Sequence, residues 1–265
     1  MKIIALETTG AHMSVCLWED FKPRASKTET DADAASHHLL PAAHSLFQKV
    51  GWKPQDLDAV VVDVGPGRFT GLRIGVAAAR TLGQALEKPV IEVSSLEAVA
   101  ARSSGWLAGK NFVWRFPSDL LCVLSDAMRD DVYMGVWRFH RLLARNRGGT
   151  ARTYHTFGHH FKLVHAPTLF RFDRFMSFFR SCFQVQTLVF AGSGAVRHRE
   201  ELTKAFGSRA KFATAVGDPE AVWVAALGAE KFFRRDMKMY NQVKPLYLRP
   251  SYAEENLAKA ALLSV

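Results

Sequence analysis

The sequence predicts an α/β protein with two subdomains, each built from a mixed sheet flanked by helices. Three observations support this class: a strand–helix–strand unit at 58–93, short apolar runs that alternate with helical patterns, and glycine-containing turns after strands in both halves. Parallel strands need a crossover connection, which the helix of the 58–93 unit provides. Because a similar order of elements recurs, we expect one topology to be used twice, although no sequence repeat is visible.

The strand–helix–strand unit organises the first half of the chain. Its first strand, at 58–64, is a run of β-branched residues typical of a strand buried on both faces. The Gly-Pro-Gly turn at 65–67 ends this strand, and a helix is predicted over 71–87 with Thr70 as its N-cap. A second strand follows at 90–93. A glycine-rich turn before a helix N-terminus can bind an anion, but the same pattern fits an ordinary tight turn, so both interpretations stay open.

The remaining elements follow in order along the chain. Strands are predicted at 2–9, 12–19, 24–30, 120–126, 132–139, 161–165 and 186–190. Helices are predicted at 31–50, 95–102, 168–182, from the glycine turn at 191–195 to 206, and at 219–235 with Asp218 as N-cap. These elements divide the chain into an N-terminal subdomain at 1–104, a divergent second subdomain at 105–217, a helix at 218–236 that packs back on the first subdomain, and an extended tail at 237–265.

Turns that follow strands supply a weak candidate site for a nucleotide. A hairpin turn with small hydroxyl residues can wrap a phosphate through backbone N–H and side-chain O–H donors, although a plain hairpin turn explains the same residues. Glycine turns in the two halves would face a shared crevice. The candidate nucleotide-binding residues are Thr8, Thr9, Gly65, Gly67, Gly192 and Gly194.

Composition points to a globular protein without membrane association. The 265-residue chain has 48% hydrophobic and 23% charged residues, and no apolar run is long enough for a membrane helix. The N-terminal residues have no signal-peptide pattern, and three scattered cysteines lack metal-ligand spacing. We therefore expect a cytoplasmic protein. His37, His38 and His44 cluster on the helix at 31–50, but no further ligand is evident nearby, so we expect no metal site.

The net charge of +10 favours an acidic partner such as nucleic acid. The excess is concentrated at 138–180, where nine lysines or arginines and five histidines accompany one aspartate. Aromatic residues are interleaved with these cations, so the segment fits a surface that contacts RNA. It fits equally an ordinary solvated face of a divergent subdomain.

Several motifs resemble the bacterial TsaB (YeaZ) family. The most specific is GPGRFTGLRIGV at 65–76, followed by PVIEVSSL at 89–96. Further matches, in chain order, are at 4–9, 14–18, 37–40, 126–133 and 245–249. The resemblance covers nearly the whole chain and implies the duplicated α/β fold of the actin, Hsp70 and sugar-kinase superfamily (ASKHA, ribonuclease H-like). It also implies a role in forming threonylcarbamoyladenosine in tRNA.

The resemblance implies a non-catalytic subunit and not an enzyme. The paralogues that perform the transfer, called TsaD, share the glycine loop and then present an H-x-x-x-H metal pair, whereas residues 94–98 here read SSLEA. Two hydroxyls and one carboxylate cannot hold a metal tightly. Glu7 stands where relatives usually carry Asp, and Arg68 where they usually carry Ser. We expect no catalytic residues and no tightly bound cofactor, with ATP or ADP bound, if at all, in the assembled complex.

The partners that the resemblance implies are a TsaD-like paralogue, a TsaE-like ATPase and, through their complex, tRNA. The chain would bind the paralogue through the helices at 36–50 and 71–87, and would form a homodimer when alone. The candidate interface residues are His37, Leu39, Leu40, Leu72, Arg73, Ile74 and Val76. Two alternatives stay open: a free-standing RNA-binding module that uses the basic segment, and a nucleotide-dependent transferase or metallopeptidase.

Overall fold

The computed structural model describes residues 1–30, 35–103, 120–139, 161–184, 186–213 and 217–250. Four parts of the sequence predictions therefore lie outside the described residues: the connector at 105–117, the start of the first helix at 31–34, the basic segment between 140 and 160, and the end of the tail at 251–265. Among the described helices, none combines the length and the apolar character needed to cross a membrane.

The first half forms a five-stranded mixed sheet. Its strands are β1 (Lys2–Glu7), β2 (Met13–Glu19), β3 (Lys22–Glu29), β4 (Ala59–Asp63) and β5 (Val90–Val93), and its helices are α1 (Ala35–Val50), α2 (Phe69–Leu86) and α3 (Ser95–Ser103). The strand order is β3-β2-β1-β4-β5, in which β1 pairs antiparallel with β2 and parallel with β4. β4 and β5 are parallel on either side of α2, as the sequence predicts.

The second half repeats this topology. Its strands are β6 (Leu120–Asp126), β7 (Asp131–Phe139), β8 (Phe161–Arg171), β9 (Leu188–Ala191) and β10 (Ala210–Phe212), and its helices are α4 (Phe172–Cys182), α5 (Ser193–Arg197), α6 (Arg199–Phe206) and α7 (Ala221–Phe233). The order β8-β7-β6-β9-β10 matches the first sheet strand for strand, including the directions of pairing. The predicted duplicated α/β fold with mixed sheets is confirmed.

Helices cover the faces of both sheets. α1 and α2 cover the outer face of the first sheet and bury Leu39 and Leu72 in one cluster with β1 and β4. α3 and α7 lie between the sheets, and α7 packs on β1, β2, β4 and β5. Gly228 allows this close approach, because a Cβ there would lie 2.4 Å from Val61 Cγ1. α4 and α6 cover the far face of the second sheet, with Phe175 and Phe179 fully buried.

Two predicted helix starts were wrong for reasons of capping. α2 begins at Phe69, with Arg68 at the N-cap position in place of Thr70. α7 begins at Ala221 with Glu220 at the N-cap position. Asp218 does not cap α7, because its carboxylate accepts the backbone N–H of Ala11 at 2.7 Å. A contact from the other end of the chain thus overrides the local capping pattern.

Two further boundaries differ in the second half. The helix predicted from 168 begins at Phe172, because β8 pairs with β7 along its whole length and ends with Arg171 opposite Asp131. The helix predicted to reach 206 is divided into α5 and α6 at His198, whose φ of −104° and ψ of 27° are not helical.

The turn between β1 and β2 packs tightly against the start of α2. Thr8 is 2% exposed, and its Oγ1 donates a hydrogen bond to the carbonyl oxygen of Gly71 at 2.7 Å. A Cβ on Gly71 would lie 1.9 Å from the carbonyl oxygen of Thr8, and one on Gly75 would lie 2.4 Å from Thr8 Oγ1. Both glycines are therefore required for this contact in a close-packed interior.

We expect Gly71→Ala to lower the free energy of unfolding by about 1–3 kcal/mol, since the added methyl overlaps backbone that cannot move freely. Helix propensity alone predicts the opposite sign, a stabilisation of about 1 kcal/mol. Urea unfolding decides between the two, with Ala77→Gly on the exposed face of α2 as a control for propensity. A Gly71→Ala variant as stable as the wild type would contradict the close contact.

Candidate functional site

Two buried carboxyl groups lie side by side at the ends of β1 and β4. Both Glu7 and Asp63 are fully buried. They meet because β1 and β4 are adjacent parallel strands, with Leu6 opposite Val62, so that the residues at their carboxyl ends are neighbours. This edge of a parallel sheet is where α/β proteins place their ligand sites. The pair is therefore the first candidate for chemistry in the chain.

Hydroxyl groups bridge the two carboxyls. Thr9 Oγ1 lies 3.0 Å from Glu7 Oε1 and 3.2 Å from Asp63 Oδ2. Ser95 Oγ donates to Asp63 Oδ1 at 2.6 Å. The Thr9 hydroxyl carries a single hydrogen, so it can donate to one carboxyl only. If it donates to Glu7, the contact with Asp63 is a hydrogen bond only when Asp63 itself carries a proton.

Both carboxyls have raised pKa values, as expected for a buried pair that retains a proton. Burial raises the pKa of Asp63 to about 7, against the effect of donors from Ser95, Gly65 and Thr9 that lower it. Burial also raises the pKa of Glu7 well above its ordinary value, and the neighbouring charge of Asp63 raises it further. Two carboxylates this close cannot both ionise without a large penalty, so the pair holds at least one proton near neutral pH.

The turn after β1 uses its hydrogen-bond donors within the chain. The backbone N–H groups of Thr9 and Gly10 donate to Glu7 Oε1 at 2.6 Å and 3.1 Å. The next N–H, of Ala11, donates to Asp218 at 2.7 Å. A phosphate cradle needs such donors directed at the ligand. Here they bind carboxylates of the chain itself, which favours a structural turn over a phosphate site at Thr8 and Thr9.

The Gly-Pro-Gly loop is held in the same way. The N–H of Gly65 donates to Asp63 Oδ1 at 2.8 Å, and its carbonyl oxygen accepts the N–H of Ser95 at 2.9 Å. A Cβ on Gly67 would lie 2.6 Å from the carbonyl oxygen of Thr9. Close packing against the β1–β2 turn thus explains Gly67, and a φ of +103° explains Gly65, without a bound anion.

The second pair of candidate glycines belongs to the other half. Gly192 has a φ of +93°, and a Cβ there would lie 2.4 Å from the carbonyl oxygen of Leu124 at the end of β6. A Cβ on Gly194 would lie 3.0 Å from the same oxygen. The structure therefore brings Thr8, Thr9 and the first glycine pair together, and places the second pair against β6.

The predicted interface residues divide into exposed and buried sets. Leu40 is 56% exposed, and His37 and Arg73 are also exposed, while Ile74 is partly buried. Leu39, Leu72 and Val76 are at most 3% exposed and belong to the core beneath α1 and α2. These three are corrected from partner anchors to core residues, because hydrophobic residues at helical spacing fill the inward face first.

The segment that would carry a metal pair in the catalytic paralogues is used structurally. Ser95 is buried and bound to Asp63. Glu97, the carboxylate of this segment, lies 3.5 Å from Lys231 Nζ of α7. In the described part of the chain, no three His, Cys, Asp or Glu residues are placed to hold a metal ion. His37 and His44 lie on the exposed side of α1.

Sequence reasoning missed the buried carboxyl pair. The sequence prediction notes Glu7 only as a departure from the Asp of relatives, and it includes Asp63 in an apolar strand. A signal was present, because each is an acidic residue at the end of an otherwise apolar β-branched run, and the two strands were predicted in one sheet. Whether the two residues are neighbours depends on which strands pair in the sheet, and the sequence alone does not determine this.

The carboxyl pair predicts a pH dependence of stability. The unfolded chain releases its carboxyl protons near pH 4, whereas folded Asp63 holds its proton up to about pH 7. The folded state therefore binds more protons in this window, and the free energy of unfolding contributed by Asp63 falls as pH rises through it. Asp63→Asn mimics the protonated form, since its amide can accept from Ser95 and donate to Thr9. We expect the free energy of unfolding of Asp63→Asn, relative to that of the wild type, to increase as pH rises from about 4 to about 7. Urea unfolding at several pH values measures this difference.

Glu7→Gln is the matched variant for the other carboxyl. Its free energy of unfolding, relative to that of the wild type, should also increase as pH rises. Val243→Ala, a cavity variant where the tail packs on the core beneath α1 and α2, should lower the free energy of unfolding equally at each pH. A difference in the free energy of unfolding between Asp63→Asn and the wild type that does not change with pH would contradict a proton retained on Asp63.

Comparison with known proteins identifies the family. The family model for TsaD, tRNA N6-adenosine threonylcarbamoyltransferase, matches residues 29–262. The tRNA threonylcarbamoyladenosine biosynthesis protein TsaB of Bacillus subtilis is 34% identical over 139 residues, which is 52% of this chain and 56% of that protein. The TsaB protein of Escherichia coli is 34% identical over 100 residues, or 38% of this chain and 43% of that protein. These alignments span about half the length of the curated relatives.

The fold agrees with this assignment. The structure of YeaZ from Pseudomonas aeruginosa superposes with a TM-score of 0.70 at 22% identity, covering 93% of this chain and 99% of that one. At this identity the likeness establishes the shared fold, while the sequence matches establish the relationship. The chain therefore belongs to the TsaB (YeaZ) family, within the wider group that the TsaD model describes.

Proposed function

We propose that this chain is a non-catalytic subunit of the apparatus that forms threonylcarbamoyladenosine in tRNA, and that it binds and supports the TsaD-like transferase. The names of its relatives support the pathway. The observation that carries the non-catalytic role is the segment 94–98, in which Ser94 Oγ is buried, Ser95 is bound to Asp63 and Glu97 pairs with Lys231. Side chains engaged inside the chain are not available to substrate.

The outer faces of α1 and α2 support the role as a partner surface. On α1, one exposed stripe carries His37, Leu40 and His44, at spacings of three and four residues. On α2, the exposed stripe includes Arg73, Ala77 and Arg80. The two helices contact each other, so the stripes form a surface two helices wide. Small and apolar positions allow a partner helix to approach closely, and arginines are frequent anchors at interfaces.

The remaining members of the complex follow from this proposal. The paired-helix surface would bind the TsaD-like paralogue and, in its absence, a second copy of the chain. A TsaE-like ATPase, ATP or ADP, and tRNA would join in the assembled complex. A nucleotide-dependent transferase activity of this chain is disfavoured, because the backbone donors of the β1–β2 turn are bound by Glu7 and Asp218. A metallopeptidase activity is disfavoured because the described residues include no group of three His, Cys, Asp or Glu placed to hold a metal ion.

Leu40→Asp tests the proposed interface. A charge placed at an apolar anchor must lose its hydration on binding, so we expect the affinity for the host's TsaD-like protein to fall about thirty-fold or more. The measurement is retention of this chain on the immobilised paralogue, with size-exclusion chromatography of the chain alone to follow the homodimer.

Leu163→Asp is the matched control, since Leu163 is a comparably exposed leucine, 46% accessible, on β8 in the other half. It should be retained like the wild type. Equal retention of the Leu40→Asp and Leu163→Asp chains would refute the paired-helix interface, and failure of the wild type to bind the paralogue would refute the scaffold role.

A further inference from the structure

A cleft lies between the two halves of the chain. Its volume is about 280 Å³. The first half lines it with residues 67–69 and Leu72, the second half with residues 126–128 and Tyr133, and the tail with residues 246–250. We refer to it as the tail cleft. Because its walls come from both halves, a group bound there contacts both.

The walls of the tail cleft are fixed by hydrogen bonds within the chain. The N–H of Leu246 donates to the carbonyl oxygen of Val64 at 2.7 Å, which fastens the tail to the first half. Arg249 fastens it to the second half, donating to the carbonyl oxygen of Ala127 at 2.7 Å and to the carboxylate of Asp131. The cleft is therefore formed before any partner binds, and a preformed site avoids the cost of ordering on binding.

Large apolar side chains of the cleft are exposed. Phe69 and Tyr247 are 36% and 43% exposed, and their ring centroids lie 4.8 Å apart. Met128, on the wall that the second half supplies, is 67% exposed. Leu72 and Tyr133 complete the lining as buried residues, at 1% and 7% exposed. Aromatic residues and methionine are enriched at the cores of protein interfaces, and the flexible methionine side chain adapts to the shape of a partner.

Two of the three charged residues that line the cleft are paired within the chain. Asp126 accepts a hydrogen bond from Arg197 at 2.9 Å, and Arg249 binds Asp131. Arg68, the third, is exposed, in keeping with the frequent use of arginine at protein interfaces. Because Asp126 and Arg249 already have partners of opposite charge, the lining does not select a strongly charged ligand.

The described lining also differs from that of a small-molecule site. Such sites usually have volumes of about 300–1,000 Å³ and a few polar groups directed at the ligand. The tail cleft is slightly smaller, and the N–H of Leu246 and the guanidinium of Arg249 are bound within the chain. The contact that remains on offer is apolar, from Phe69, Tyr247 and Met128.

The tail cleft is continuous with the paired-helix surface. Phe69 precedes Arg73, Ala77 and Arg80 on α2 at spacings of four, four and three residues, so the four share one exposed stripe. Arg73 joins the two regions, because its guanidinium lies 4.0 Å from the ring centroid of Phe69 and donates to the Tyr247 hydroxyl at 3.2 Å. A protein that covers this stripe therefore reaches the cleft.

We infer that the tail cleft receives an apolar side chain, aromatic or leucine, of the TsaD-like paralogue, so that the paralogue contacts both halves of this chain. The inference rests on the proposed function and extends its interface from α1 and α2 across the cleft to Met128. The α2 stripe places the paralogue beside the cleft. Burial of the exposed parts of Phe69, Tyr247 and Met128 supplies the gain in free energy.

Met128→Asn tests the inference at the wall that the second half supplies. Met128 has a φ of +63°, which asparagine adopts more readily than methionine, so the variant should be at least as stable to urea as the wild type. On binding it loses the apolar contact and buries an amide, so we expect its affinity for the immobilised paralogue to fall about ten-fold. Leu163→Asn makes a comparable change on β8, outside the cleft, and should bind like the wild type.

Oxidation of Met128 gives a second measurement. Hydrogen peroxide converts exposed methionine to its sulfoxide, which mass spectrometry quantifies. Met128 should react readily in the free chain, and its rate should fall several-fold with saturating paralogue, because the partner covers it. The Leu40→Asp chain, which should not bind the paralogue, is the control. In its presence Met128 should stay as reactive as in the free chain.

The outcomes separate this inference from the proposed function. Wild-type binding with equal retention of Met128→Asn, or with Met128 unprotected, would refute the inference alone. Failure of the wild type to bind the paralogue would refute both. Weaker self-association of Met128→Asn with unchanged retention would make a second copy of the chain the occupant. Protection of Met128 by AMP or by tRNA without the paralogue would make the cleft a nucleotide or nucleic-acid site, and either result would overturn the inference.

Discussion

The close contact of the β1–β2 turn with the Gly-Pro-Gly loop and the start of α2 is the constraint on which the first half depends. Thr8 binds the backbone of Gly71, and the carbonyl oxygen of Thr9 accepts the N–H of Arg68 at 2.9 Å. The contact leaves no room for a Cβ at Gly67 or Gly71. It also seals Glu7 and Asp63 from water, so their hydrogen-bonding capacity has to be met by the chain, and burial raises the pKa of both.

This constraint engages the polar groups at the crevice edge of the first sheet in contacts within the chain. The backbone donors that could hold a phosphate are bound to Glu7 and Asp218, and Ser95 is bound to Asp63. The crevice edge of the first sheet is thereby used for stability. Among the described residues, the outer stripes of α1 and α2 form an exposed surface for a partner, and the proposed function rests on this surface. On this surface Arg73 and Arg80 accompany the exposed Leu40, a combination suited to contacts with other macromolecules.

The two halves show how one topology is used in two ways. In each half, a glycine that follows the fourth strand in chain order (β4 or β9) lies close to the backbone at the end of the first strand (β1 or β6). Gly67 approaches Thr9, and Gly192 approaches Leu124. The hairpin turns differ. In the turn of the first half Thr8, Thr9 and Gly10 are buried. The turn of the second half has three residues with positive φ and exposes Met128. The two halves thus share the close contact of a glycine with the first strand, and they differ in the conformation and exposure of the hairpin turn.

The sequence by itself determined the class of fold, the parallel unit around α2 and the relationship to the TsaB family, because these depend on periodicity and on a long specific motif. It did not determine which apolar residues of α1 and α2 face outward: Leu39 and Leu40 are adjacent and both apolar, and only packing separates them. Nor did it reveal the pairing of Glu7 with Asp63, the use of Asp218 by Ala11, or the attachment of Arg249 to Asp131. These contacts join residues that are distant in the chain, and strand order and tail path bring them together. The sequence determined the elements because their signals are local, and the tertiary structure decided the site because its contacts are not.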